Sequence, residues 1–324
     1  MLAALLLLSG AGGALWWVLR PGTPRRPPPI PIQLAREATI LAHTPAALAV
    51  FRFADNPKVL VLDFPDLHQQ GAMLNRVAAL IEKAGAPRDR VLNDAELAAT
   101  IGKSGDTPDT YYYGHDYGAA SLARFFELAD RDHIALDKEE EWLRRLARQE
   151  GWLAPSAVGG LISLPRTGSA SDIDARARQV ILHHELSHGE YFTSPAYADW
   201  VHRFWREGLT DRDRAAFRRF LGGQGYDIGE EDVMINEMQA YLMETRDPRY
   251  FSAEALGLPQ ARVEQLQAAF LIGMPVGWLR DATLPPGAVL PATAPRRRYF
   301  SRVSRTRAVP AARAPRLRAS SIAA

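Results

Sequence analysis

The stretch His183-His184-Glu185-Leu186-Ser187-His188 lies inside the apolar run from Val180 to His188, and its reading decides what the rest of the chain has to build. Two imidazoles four residues apart on a helix stack on one face, one turn from each other, so His184 and His188 can both reach a single zinc ion. Glu185 points about 100° around the axis, beside such an ion and not onto it, which suits a base acting on a metal-bound water. A random chain of this length with eight His shows the pattern on the order of one time in a hundred. Two histidines that merely pack or cap are therefore the alternative, and context must decide.

A catalytic zinc takes three protein ligands and keeps a fourth position open. In one class of zinc peptidase the third ligand is a His six residues after the second, with Gly three residues after the second. Those positions hold Ser194 and Tyr191, which excludes that class, and His202 reads as a surface or packing histidine. Further on, Gly229 to Met243 predicts a helix with acids in its first turn, where the macrodipole favours them. Val233, Met234, Ala240 and Tyr241 share one side of it, and Glu237 lies on that apolar stripe, four residues from both Val233 and Tyr241. A lone buried carboxylate is costly, and coordinating a cation is one arrangement that offsets the cost. A Glu at the stripe's edge, or one paired with an Arg, is the other.

With these two helices the chain resembles the gluzincin superfamily of zinc metallopeptidases. There His-Glu-x-x-His is completed by a Glu on a later helix, often preceded by Asn and followed three places on by a small residue. Asn236-Glu237-Met238-Gln239-Ala240 is similar to that second element, and the resemblance covers about a fifth of the chain. It departs in the longer separation of His188 from Glu237 and in Tyr241, where some members carry an Asp. The resemblance implies a zincin-like fold, one zinc held by His184, His188 and Glu237, Glu185 as general base on a zinc-bound water, and a peptide or protein substrate. It also implies a donor to the developing oxyanion. Tyr226, in the Gly-rich turn from Gly222 to Asp227, is the first candidate; Tyr241 and the stretch Tyr111-Tyr112-Tyr113-Gly114-His115 are rivals. In such enzymes an edge strand before the zinc helix pairs with extended substrate. Gly159 to Pro165 reads as a short strand, which makes Leu161, Ile162, Ser163 and Leu164 the substrate-binding candidates, with a plain core strand as the alternative. The competing function is a catalytically inactive zincin-fold binding or scaffold protein tethered to the membrane, against which the retention of Glu185 counts.

Around this centre the patterning predicts a helix-rich α+β body over 33–281. Strands are expected near Ala47 to Phe53 and Lys58 to Phe64, in a small α/β part up to about residue 155, with a mainly helical part after it and a cleft between the two. Asn93 is the expected cap of a helix starting at Asp94, and helices are expected from Leu67, Ser121, Lys138, Ala196, Asp211, Glu230 and Pro259. Zero cysteines exclude disulfides and Cys-ligated metal, leaving His and carboxylate as ligands. Leu2 to Leu19 is an uncharged apolar run of about 27 Å as a helix, read as a transmembrane anchor or signal segment. A Pro/Arg-rich linker (20–32) follows it. The expected localisation is membrane-associated, with the envelope or periplasmic side favoured over the cytoplasmic. From Ala282 to Ala324 there are nine Arg and no acid, the composition of a disordered basic tail. Such a tail suits an anionic partner or none, and no specific nucleic-acid binding is expected. Removing those nine Arg and the linker's three from a net charge of +2 leaves −10 for the body.

Overall fold

Val59-Leu60-Val61-Leu62-Asp63-Phe64 is buried at every position in the computed structural model, which describes residues 27–284. A strand hidden on both faces has to lie inside a sheet, and the unbroken apolar run is the sign of it. This is β3 of a mixed sheet completed by β1 (Gln33–Ala35), β2 (Ala49–Phe53), β4 (Asp116–Gly118) and β5 (Gly160–Pro165), in the order β1-β2-β3-β5-β4. β3 runs antiparallel to β2 and parallel to β5, and β4 runs antiparallel to β5.

The helices α1 (Glu37–Ala42), α2 (Leu67–Ile81), α3 (Asp94–Lys103), α4 (Ala119–Arg131) and α5 (Lys138–Gln149) precede β5. After it come α6 (Ala175–Thr193), α7 (Pro195–Arg203), α8 (Asp211–Gly223), α9 (Glu231–Met243), α10 (Ala253–Leu256), α11 (Gln260–Gly273) and α12 (Trp278–Thr283). The class is thus α+β and helix-rich, with one small mixed sheet among the described residues. Asn93 caps α3 as expected and closes a reciprocal capping box with Glu96; Asp137 and Glu140 form a second box on α5. α7 passes into a π-helical turn at Phe204–Gly208, so the helix expected to Glu207 changes its hydrogen bonding near its end. β5 comes from beyond residue 155 and lies between β3 and β4 from before it, so the α/β part and the helical part share one sheet. The elements fall in one compact unit beginning at Ile32.

α6, the helix carrying His184 and His188, is fixed to the sheet at both ends. Near its start, Arg178 is 2% exposed and grips Asp63 of β3 with two nitrogens at 2.9 and 3.1 Å, while also donating to the carbonyls of Pro165 and Ile40. The planar fork suits this bidentate geometry, and four acceptors offset the desolvation of a buried guanidinium. Near its end, a Cβ at Gly189 would lie 2.8 Å from Val59 Cγ1, and one at Gly160 would lie 3.3 Å from Gly189 Cα. The two glycines let α6 rest directly on β3 and β5.

Two expectations need correction. No helix among the described residues is long and apolar enough to cross a membrane. The run Leu2 to Leu19, the basis of the expected transmembrane segment and membrane-associated localisation, lies outside the described residues, and no described helix supports either. The linker up to residue 26 and the Arg-rich tail from 285 also lie outside them. The second correction concerns Leu161 to Leu164. β5 is an interior strand, with Leu161 opposite both Leu60 and Tyr117 and Ile162 opposite both Val61 and Asp116. Its ladder groups are taken on both sides, so it offers no free edge to a substrate; the edge belongs to β4.

Candidate metal centre

α6 and α9 bring their polar residues together in the interior. His184, Glu185, His188 and Glu237 are all 4% exposed or less, and one ligand atom from each of His184, His188 and Glu237 lies within 4.8 Å of the others. The helices are pinned by a polar relay: Tyr197 of α7 donates to Gln239 Oε1 at 2.7 Å, Gln239 Nε2 donates to Ser187 Oγ at 3.1 Å, and Ser187 donates to the carbonyl of His184. The relay ties the middle of the His-Glu-x-x-His motif to the helix that carries Glu237.

His184 has a fixed tautomer. The Thr245 hydroxyl donates to the carbonyl of Ala240 at 3.1 Å, so its oxygen accepts from Nδ1–H of His184 at 2.8 Å. Nε2 is left with a lone pair, 3.7 Å from Glu237 Oε2. A tetrahedral ion with ligands about 2.0–2.1 Å away spaces them about 3.3–3.4 Å apart, so this separation is close to what one cation spans. Tyr241 packs its ring edge-on to His184 at 4.8 Å. A partner that holds the imidazole of a metal site is typically worth 10–100-fold in affinity. Thr245→Val is therefore expected to weaken zinc binding by about that factor, with Thr245→Ser restoring it, as read by competition against a chromophoric chelator. Equal affinity in all three chains would show that Thr245 does not orient His184.

His188 is 0% exposed and neither ring nitrogen makes a hydrogen bond of good geometry, the Asn236 side chain giving it only a weak contact that partly opposes the effect of burial; Nδ1 stops 3.6 Å from Asp116 Oδ1. Glu185 places one oxygen against Gly114, where a Cβ would fall 2.0 Å from Oε1, so a side chain at 114 and this carboxylate exclude each other. The other oxygen, Oε2, is buried and has no hydrogen-bond partner. Burial holds the pKa of His184 well below the usual imidazole value, with His188 adding to the effect, and lowers His188 to about 4; both rings are neutral at pH 7 with lone pairs free for a cation. Burial, then Glu237 and Glu82, raise Glu185 well above the carboxylate range. Burial, then Glu185, Glu82 and Glu237, do the same to Asp116. A cation would offset the carboxylate repulsion that adds to burial in raising Glu185 and Asp116.

The structure thus gathers four of the expected residues and adds three that the sequence does not reveal: Asp116, Gly114 and Glu82. Asp116 groups with Glu185 and His188, and also with Glu82 and Glu237. Tyr226 pairs through its backbone with Lys83 and has its ring in the main apolar core. The flanking bonds from Asp227 N to Glu82 O and from Ala84 N to Gly225 O make the Gly-rich turn the element that holds Glu82 near α9. Of the rivals, Tyr113 donates to Asp172, Tyr111 stacks under Lys83, and His115 meets Ser163 Oγ at 3.0 Å. His202 contacts Tyr191 and Asp232, a packing role as expected. No protein-family model, no curated protein and no solved structure matches the chain.

Proposed function

We propose that the chain is a zinc-dependent peptidase of gluzincin type, with His184, His188 and Glu237 as the ligands and Glu185 as the general base. The observation that carries this reading is the set of orphaned atoms: both ring nitrogens of His188, which groups with His184 and Glu237, and Oε2 of Glu185, which groups with His188 and Asp116, all buried and without hydrogen bonds. Buried polar atoms in native structures have partners, and a cation bound by the imidazoles gives the lone-pair nitrogen of His188 one. A purely structural site has no use for Glu185, whose free oxygen counts against an inactive scaffold.

When bound, zinc supplies Lewis-acid polarisation of the scissile carbonyl. Glu185 takes a proton from the attacking water on Oε2 and delivers it to the leaving amine, while Oε1 stays against Gly114. His184 is held by Thr245 so that Nε2 faces the centre. An extended peptide pairing with β4, the sheet's edge strand, would gain backbone hydrogen bonds that supply affinity tolerant of sequence.

The experiment is chelation of the purified chain, with metal content and cleavage of an unfolded protein substrate read together. Zinc retained through gel filtration, removed by chelator, and cleavage lost and regained with it are expected. A chain that takes up no zinc, or cleavage indifferent to chelation, overturns the reading.

A further inference from the structure

We propose that the segment from Ser104 to His115, between α3 and β4, is a strap that holds the centre closed, and that a peptide is cleaved only after the strap has left it. The inference concerns the regulation of the site described above and rests on the zinc reading. A peptidase has to admit an extended chain to its metal and its base. Here His188 is 0% exposed, Glu237 1%, His184 2% and Glu185 4%, so no substrate carbonyl reaches them while their surroundings stay in place. Activity therefore requires an element to move.

The helices that carry the ligands are not free to do so. Arg178 and the close contact at Gly189 hold α6 to the sheet, and the relay from Tyr197 through Gln239 to Ser187 ties α9 to α6. Moving either helix would dismantle the centre. The strap differs in kind. It contains no helix or strand, and its backbone at Gly114 stands directly on the base, where a Cβ would fall 2.0 Å from Glu185 Oε1. It also runs straight into β4, so its departure uncovers Glu185 beside the edge strand.

Both ends of the strap are fixed by backbone bonds, from Asp106 N to the carbonyl of Ile101 and from Ser163 N of β5 to the carbonyl of His115. Between them, side chains act as latches. Asn75 and Gln70 of α2 donate to the carbonyls of Pro108 and Tyr113 at 2.7 and 2.8 Å, and the Tyr113 hydroxyl donates to Asp172 at 2.9 Å. Lys83 Nζ lies 3.9 Å from the centroid of the Tyr111 ring and 3.7 Å from Asp106 Oδ2. Tyr111, Tyr112 and Tyr113 are buried beneath an exposed tip at Thr107 and Pro108. A segment latched in this way opens at a fraction of the free energy of global unfolding, which is what a gate over a catalytic centre needs.

The test uses the full zinc-loaded chain and two variants that cut one latch from opposite sides, Tyr113→Phe and Asp172→Ala. Both are expected to keep their zinc and to raise kcat/KM on a fluorogenic peptide by about 2–10-fold, the shift in the open population that one net hydrogen bond controls. Hydrogen exchange over 107–114 should quicken by a similar factor while that of α6 does not change. A kcat/KM at or below the wild-type value in both variants overturns the strap and leaves the zinc reading standing. Cleavage lost in Tyr113→Phe alone makes Tyr113 a catalytic donor and overturns the strap as well. Should a variant fail to fold, the Glu185→Gln chain decides, because it can bind the peptide without cutting it. Peptide should then speed exchange over 107–114, and exchange unchanged or slowed there overturns the inference. A wild-type chain that takes up no zinc instead overturns the zinc reading itself.

Discussion

A Glu185→Gln chain is expected to keep its zinc and to lose peptide cleavage by about 10²–10⁴-fold, the range set by removal of a general base. Gln has nearly the volume of Glu, so the contact with Gly114 that fixes one oxygen is preserved, and with it the placement of α6 against β4. The change is confined to the second oxygen. In the wild type Oε2 is buried without a partner and can accept a proton; in the variant the corresponding group is an amide, which cannot. Two measurements are needed, metal content and kcat/KM on a fluorogenic peptide. Cleavage surviving the substitution would sink the assignment of Glu185 as base. Zinc lost together with cleavage would make Glu185 a ligand, a role its grouping with Asp116 and His188 makes worth separating. Asp116→Asn serves as the control for a neighbouring carboxylate acting in its place.

The legible half of the centre is helical. A period of 3.6 carries His184 and His188 to one face of α6 and Glu237 to the buried stripe of α9, and a reading of apolar positions recovers both. The other half comes from a strand of three residues. Asp116–Gly118 is too short to show alternation, and the Tyr111 to Tyr113 stretch before it shows little, so nothing local announces that Gly114 and Asp116 will face Glu185. Glu82 lies at the end of α2 and looks like an ordinary surface Glu; its position is set by the bond from Asp227, remote in the chain. Thr245 likewise reads as a residue closing a helix, because its partner His184 lies across the interface of two helices. For β5 the sequence supplies a strand but not its neighbours. Gly160 to Pro165 is apolar enough for either an edge with one covered face or an interior strand. The long crossover from β3, which carries β4 within it, puts the interior one in place.

His188→Ala is expected to abolish zinc retention and, with it, the part of the stability that depends on the metal. A ligand that binds only the folded chain stabilises it by about 4 kcal/mol when present at a thousandfold over its Kd, so wild-type unfolding should shift by that much between chelator and zinc, and the variant's should not. Without metal the comparison changes. Deleting a buried side chain of this size leaves a cavity that costs about 2–5 kcal/mol. The same deletion also removes two buried ring nitrogens without hydrogen bonds, each of which costs about 1–3 kcal/mol in the metal-free wild type. The two effects oppose each other, so the metal-free variant should lie within about 2 kcal/mol of the metal-free wild type, and the gap should open only when zinc is added. Denaturant unfolding of both chains, with and without zinc, reads all four states. A variant as responsive to zinc as the wild type removes His188 from the ligand set. A variant several kcal/mol less stable even in chelator means that the ring is a packing element whose nitrogens were no burden, and then the strongest reason for placing a cation beside it is gone.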